Sequence, residues 1–128
     1  MKFESIYSDF KKVFPEEAAY FSKAEKESVI GGDGDELPHV SFGIFVMPFI
    51  YKLLENKDDS RLKKSFAFFE DMANSADEKI QELLQVTILE NLVTESKDTY
   101  KTAQKYIGPK TKTFVNKIST YMDIKPMR

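Results

Sequence analysis

Cysteine is absent from the 128-residue chain. That excludes disulfides, zinc-thiolate sites, iron–sulfur clusters and thiol nucleophiles, and it is compatible with a reducing compartment. Histidine occurs once, as His39, so a di-metal bundle site built from Glu-x-x-His pairs is ruled out. Arginine is almost as scarce, with Arg61 the only one besides Arg128. Long hydrophobic runs are missing too. The most apolar stretch, Val40 to Leu54, contains Pro48 and Lys52 and is shorter than the roughly 20 residues a membrane-spanning helix needs. It reads as a buried core helix. Met1-Lys2-Phe3-Glu4 leads straight into an amphipathic pattern with no apolar h-region. No export signal is therefore expected, and the predicted location is the cytoplasm.

What is present is core-forming. Hydrophobic residues make up 41% and charged residues 31%, a globular rather than disordered composition, and 11 Phe with 6 Tyr supply the core volume. The charge is unevenly spread. Residues 1–38 carry 5 Lys and 9 acids, and residues 39–96 carry 6 basic and 10 acidic residues. Residues 97–128 hold 8 basic residues against Asp98 and Asp123, so the last quarter is a basic segment on an otherwise acidic protein.

Phe3, Ile6, Tyr7, Phe10 and Val13 or Phe14 follow the rhythm of one helix face. Pro15 suits the first position of a second helix, where Glu16 and Glu17 complement the macrodipole; this helix runs to about Glu27. Gly31, Gly32 and Gly34 break any helix and define an acidic loop ending in Leu37-Pro38. The apolar segment from Val40 to Leu54 follows, with Pro48 expected to kink it. Asp58, Asp59 and Ser60 offer N-cap oxygens for a fourth helix bearing Leu62, Phe66, Phe69 and Met72 or Ala73 on one face, widened by Phe68. Ser75 with Glu78 matches a capping box opening a helix that carries Ile80, Leu83, Leu84, Thr87, Ile88, Asn91 and Leu92. A sixth helix spans about Lys97 to Tyr106. Gly108-Pro109 separates it from a seventh with Phe114, Val115, Ile118 and Tyr121 or Met122.

No run alternates at period two over more than a few residues. The expected fold is all-α, with six to seven helices in an antiparallel bundle or a short stack of helix pairs. It forms one domain over residues 1–128: two amphipathic helices in 1–28, an acidic Gly-rich loop in 29–38, a helical core in 39–122 and a frayed tail in 123–128. Phe69-Glu70 and Leu89-Glu90 repeat an apolar–acid pair twenty residues apart, too few occurrences to define a period.

Candidate chemistry is sparse. His39, at the end of the acidic loop, has the reactivity of a general base beside Asp33, Asp35 or Glu36, but no spacing supplies a positioned partner, and a packing or capping role suits it better. The loop fails as an EF-hand, because position twelve counted from Asp33 is Ile44 rather than a bidentate Glu. Its glycines also fit no phosphate-binding pattern. Glu70 and Glu90 read as capping groups, ion-pair partners or contacts to a basic surface rather than as paired catalytic carboxylates. Lys97, Lys101, Lys105, Lys110, Lys112 and Lys117, interleaved with Tyr100 and Tyr106, have the composition of a nucleic-acid patch. The acidic balance and scarcity of Arg weigh against it, and a solvated face is the simpler reading. No cofactor or metal is expected, and no catalysis.

Leu37-Pro38-His39-Val40 entering an apolar helix, then Phe68-Phe69-Glu70, Ile88-Leu89-Glu90-Asn91-Leu92 and Tyr106-Ile107-Gly108-Pro109-Lys110, resembles a family of small helical bacterial proteins of uncharacterised domain type. Such proteins look like immunity proteins of polymorphic or contact-dependent toxin systems. The likeness covers about residues 37–118. It implies a cytoplasmic protein that binds and neutralises a cognate toxin that is basic around its substrate cleft, such as a nuclease. The contact set would be Asp33, Asp35, Glu36, His39, Glu70, Asp71 and Glu90. A nucleic-acid module using the Lys-rich C-terminal helices, or a helical adaptor, are the alternatives.

Overall fold

The computed structural model describes residues 1–28, 37–122 and 127, and among these it is all helical. Seven helices follow in order. Helix α1 covers residues 3–13, a 3-10 turn (Phe3–Ser5) leading into Ile6–Val13. Helix α2 covers 15–27, opening on Pro15 in a 3-10 turn where no backbone N–H is needed. Helix α3 covers 38–56, α4 is Asp59–Ala73, α5 covers 78–94, α6 is Lys97–Gln104 and α7 is Pro109–Met122. The acidic loop and the tail expected to fray lie largely outside the described residues.

The core is aromatic and its centre is Phe10. This fully buried ring lies 5.3–6.4 Å from the rings of Phe14, Phe21, Phe42, Phe49, Phe68 and Phe69, and it is stacked on Phe69 at an interplanar angle of 8°. One side chain of α1 therefore ties α2, α3 and α4 together. Polar contacts close the seams. Tyr7 Oη donates to Glu25 at 2.6 Å and Lys11 pairs with the same carboxylate at 2.8 Å, joining α1 to α2. Arg61 reaches Asp58, Glu16 and Glu17 at 3.0, 3.5 and 3.3 Å, joining α4 to the start of α2.

Two boundaries differ from the sequence reading. Asp77, not Ser75, caps α5: its carboxylate accepts from Lys79 N–H at 2.9 Å, while Ser75 Oγ accepts from Asp77 N–H. Both oxygens sit in the same short turn, and the acidic one is two residues closer to the first helical N–H groups. Pro38 belongs to the first turn of α3 rather than to the loop and is buried.

Tyr100 Oη is buried and has no hydrogen-bond partner among the described residues. An unpaired buried hydroxyl costs about 1–3 kcal/mol. Tyr100→Phe is expected to leave stability unchanged or raise it by about 1 kcal/mol in urea denaturation; a clear loss would mean that the hydroxyl is bonded.

Candidate functional site

Pro48 does not break α3. It carries no N–H, so the Ile44 carbonyl loses its usual donor. The helix absorbs the defect by widening just upstream, where Phe42–Val46 is π-helical and Met47 N–H reaches back to Phe42 C=O. The same widening recurs in α5 over Leu83–Leu89, where Glu90 N–H bonds to Gln85 C=O and Asn91 Nδ2 donates to Thr87 C=O at 2.7 Å. The extra residue turns the helix by about one position. Leu89 and Val93 thereby join the buried face, and Asn91, expected inside, points outward. Wide turns of this kind are rare and occur frequently at functional sites.

The two π-helical segments pack on each other. Gly43 faces Thr87, and a Cβ at Gly43 would meet Thr87 Cγ2 at 3.9 Å. His39, half-buried in the first turn of α3, lies 2.6 Å from Thr87 Oγ1 through Nδ1. The hydroxyl donates when Nδ1 is unprotonated and accepts when it carries a proton. The Phe3 ring lies 6.4 Å from the imidazole, and Lys79 Nζ lies over the Phe3 ring, 5.9 Å from its centroid. Large exposed hydrophobics are few among the described residues, and Ile44 and Val86, at 47% and 44% exposure, each sit in one of the two wide turns. Leu37, immediately before α3, is 54% exposed.

The remaining site candidates are dispersed. Glu70 and Glu90 hold opposite ends of α7. Glu70 on α4 accepts from the N–H groups of Lys110 and Thr111, both at 2.9 Å, and from Thr111 Oγ1 at 2.8 Å. Burial alone would raise its carboxyl, but these donated bonds outweigh burial and hold it below the ordinary value. Glu90 on α5 accepts from Tyr121 Oη at 2.8 Å near the C-terminus of α7, and Gln85 Nε2 donates to the same tyrosine oxygen at 3.1 Å. Asp71 is exposed beside Glu70. Asp33, Asp35 and Glu36 lie outside the described residues. Sequence reasoning did not find the two wide turns, although Pro48 was the signal for one of them.

A second acidic feature lies where α3 ends and α6 begins. Glu55, Glu95 and Asp98 line a groove of about 360 Å³ with Tyr51, whose hydroxyl is pushed up to about 12 by burial and by the neighbouring Glu95. Among the described residues no cluster of three or more His, Asp or Glu is placed to hold a metal ion, and no helix is long and apolar enough to cross a membrane.

The sequence matches a domain of unknown function, DUF7674, over residues 7–122. The chain belongs to that family. The match starts within α1 and ends at the last residue of α7, so the family covers nearly all of the helical fold. This supports the resemblance to a family of uncharacterised domain type, while toxin immunity finds no indication in it. No curated protein and no solved structure matches the chain.

Proposed function

We propose that this DUF7674 protein is a non-catalytic binding protein of inhibitor type, engaging a basic partner protein through the face where the wide turns of α3 and α5 meet. The carrying observation is the pair Ile44 and Val86, exposed apolar side chains on two packed π-helical segments. Asp33, Asp35 and Glu36 precede Leu37 in sequence and lie outside the described residues. In a steered protein interface, apolar anchors set the lifetime and charge sets the approach rate. A non-catalytic reading is consistent with His39, whose bond among the described residues is to Thr87, a neutral hydroxyl. Neutralisation of a bacterial toxin in the cytoplasm is the specific form that the family resemblance implies.

Charge reversal of Asp33, Asp35 and Glu36 to Lys is expected to weaken partner binding at least tenfold at moderate salt, mainly through association rate, as measured by surface plasmon resonance. Binding that is indifferent both to the triple reversal and to added salt would contradict an acidic interface.

A further inference from the structure

We propose that the partner face extends from α5 onto the end of α7, where Tyr121 and Glu90 form a seat for a guanidinium group, an arginine side chain of the basic partner. The inference rests on the partner-binding reading for the owner of that arginine, while the seat itself stands on separate observations. Tyr121, at 56% exposure, is the most exposed large hydrophobic side chain among the described residues. Its hydroxyl is nevertheless held at two points, donating to Glu90 Oε2 at 2.8 Å and accepting from Gln85 Nε2 at 3.1 Å. Gln85 lies in the wide turn of α5 that also carries the exposed Val86, and Glu90 follows directly after that turn. One end of the ring is thereby pinned to α5 while the ring stays in solvent. A tyrosine fixed in this way offers contact area at little further cost in conformational entropy, which is why such residues anchor interfaces.

Unmet hydrogen-bonding and charge decide the occupant. The half-buried Glu90 side chain receives one bond, from a neutral hydroxyl, and among the described residues no Lys or Arg pairs with it. Its charge and its Oε1 lone pairs therefore remain available to a donor. Lysine ammonium groups lie over the rings of Tyr7, Phe3 and Phe114, and among the described residues none lies over Tyr121. Lys117, the closest lysine in sequence on α7, is committed one turn away, with its Nζ 5.5 Å from the Phe114 centroid. Glu82, exposed one turn before Val86, adds a second carboxylate without an ion pair among the described residues. An aromatic face beside an unpaired carboxylate is complementary to a cation. Arginine fits it better than lysine, because the guanidinium plane stacks on the ring while its fork reaches the carboxylate, whereas an ammonium is a compact, strongly hydrated point charge. An anionic group would be repelled by Glu90, and a neutral one would leave its charge unmatched.

The test is titration of isotope-labelled protein with acetyl-arginine amide, read by amide NMR, with acetyl-lysine amide and acetyl-glutamine amide as controls at matched ionic strength. Saturable shifts centred on Gln85, Glu90 and Tyr121 are expected, at least threefold tighter for the arginine compound than for the lysine one and absent for the glutamine one. Tyr121→Leu and Glu90→Gln are each expected to weaken the arginine response at least threefold while the circular dichroism spectrum stays native. Tyr121→Phe, which keeps the ring and loses its two bonds, is expected to fall between native and Tyr121→Leu. No saturable shift at tens of millimolar acetyl-arginine amide, equal shifts with the glutamine compound, or a response unchanged in the folded Glu90→Gln variant would overturn the proposal, even if a basic partner is captured. Localised arginine shifts in a protein that captures no basic partner would instead defeat the partner reading and leave the seat standing.

Discussion

Phe10→Ala is expected to cost about 3–5 kcal/mol of folding stability, the range for removing a fully buried phenylalanine ring. The loss falls at the upper end because six other aromatic rings surround Phe10 and come from α2, α3, α4 and the α1–α2 junction, so no single side chain can relax into the void. Edge-to-face and stacked ring pairs add to the lost area term. A domain of this size has a total stability of about 5–15 kcal/mol, so a loss at the upper end removes about a third of it or more. Phe10→Leu keeps most of the volume and is expected to lose less than about half as much. Urea denaturation measures both. A loss under about 1.5 kcal/mol for the alanine variant would mean that the ring cluster is not the centre of the core.

The second large effect concerns the latch between α4 and α7. An ideal Cβ on Gly108 would sit 2.5 Å from Glu70 Oε1 and 2.6 Å from its Cδ, distances no real contact tolerates. Glu70 is flexible, so Gly108→Ala would be accommodated by swinging the carboxylate away, and the N–H groups of Lys110 and Thr111 would lose their acceptor. Losing an N-terminal helix cap costs about 1–2 kcal/mol. Gly108→Ala and Glu70→Ala are each expected to cost that much, and the double variant little more than either. A double-mutant cycle reads this directly. Strictly additive losses would mean that the glycine serves the turn rather than the carboxylate.

The latch also sets a pH dependence. The Glu70 carboxyl is lowered from its ordinary 4.5 in the folded protein. A lowered folded value means that the unfolded chain takes up its proton first as pH falls. The contribution of Glu70 is therefore complete above the unfolded value and disappears as pH drops through the folded one. Glu70→Gln is expected to be less stable at neutral pH and to lose less stability than the native protein on acidification below pH 4.5. Parallel pH profiles would contradict the role given to the carboxylate.

Most of the fold was legible because most helices here are amphipathic with marked ends. Pro15, Asp58 and Gly108-Pro109 each state a boundary in local chemistry, and the structure uses each of them. What was not legible is tertiary in origin. Nothing near Leu83 in the sequence announces a π-helical segment; it packs on the π-helical turn of α3, and Asn91 lies outside the expected face. Pro48 did signal a disturbance, and the structure shows its local form, a widened turn just upstream of the missing N–H. Glu70 and Glu90 were recognised as unusual from their apolar neighbours. That both serve α7 depends on where α7 docks, which no local pattern encodes. His39 was legible as a residue near a helix start, whereas its bond to Thr87 joins positions 48 residues apart.

The central functional claim is that the exposed face at the α3–α5 junction holds a basic protein partner. It is tested most directly by co-purification from a lysate of the source organism at moderate salt, comparing the tagged native protein with Ile44→Asp combined with Val86→Asp. Both positions are exposed, so the variant is expected to fold with a native circular dichroism spectrum and melting temperature. The account predicts one stoichiometric basic protein bound to the native form and lost from the folded variant. Retention of that protein by the variant, or recovery of nucleic acid or nothing from the native form, would contradict it.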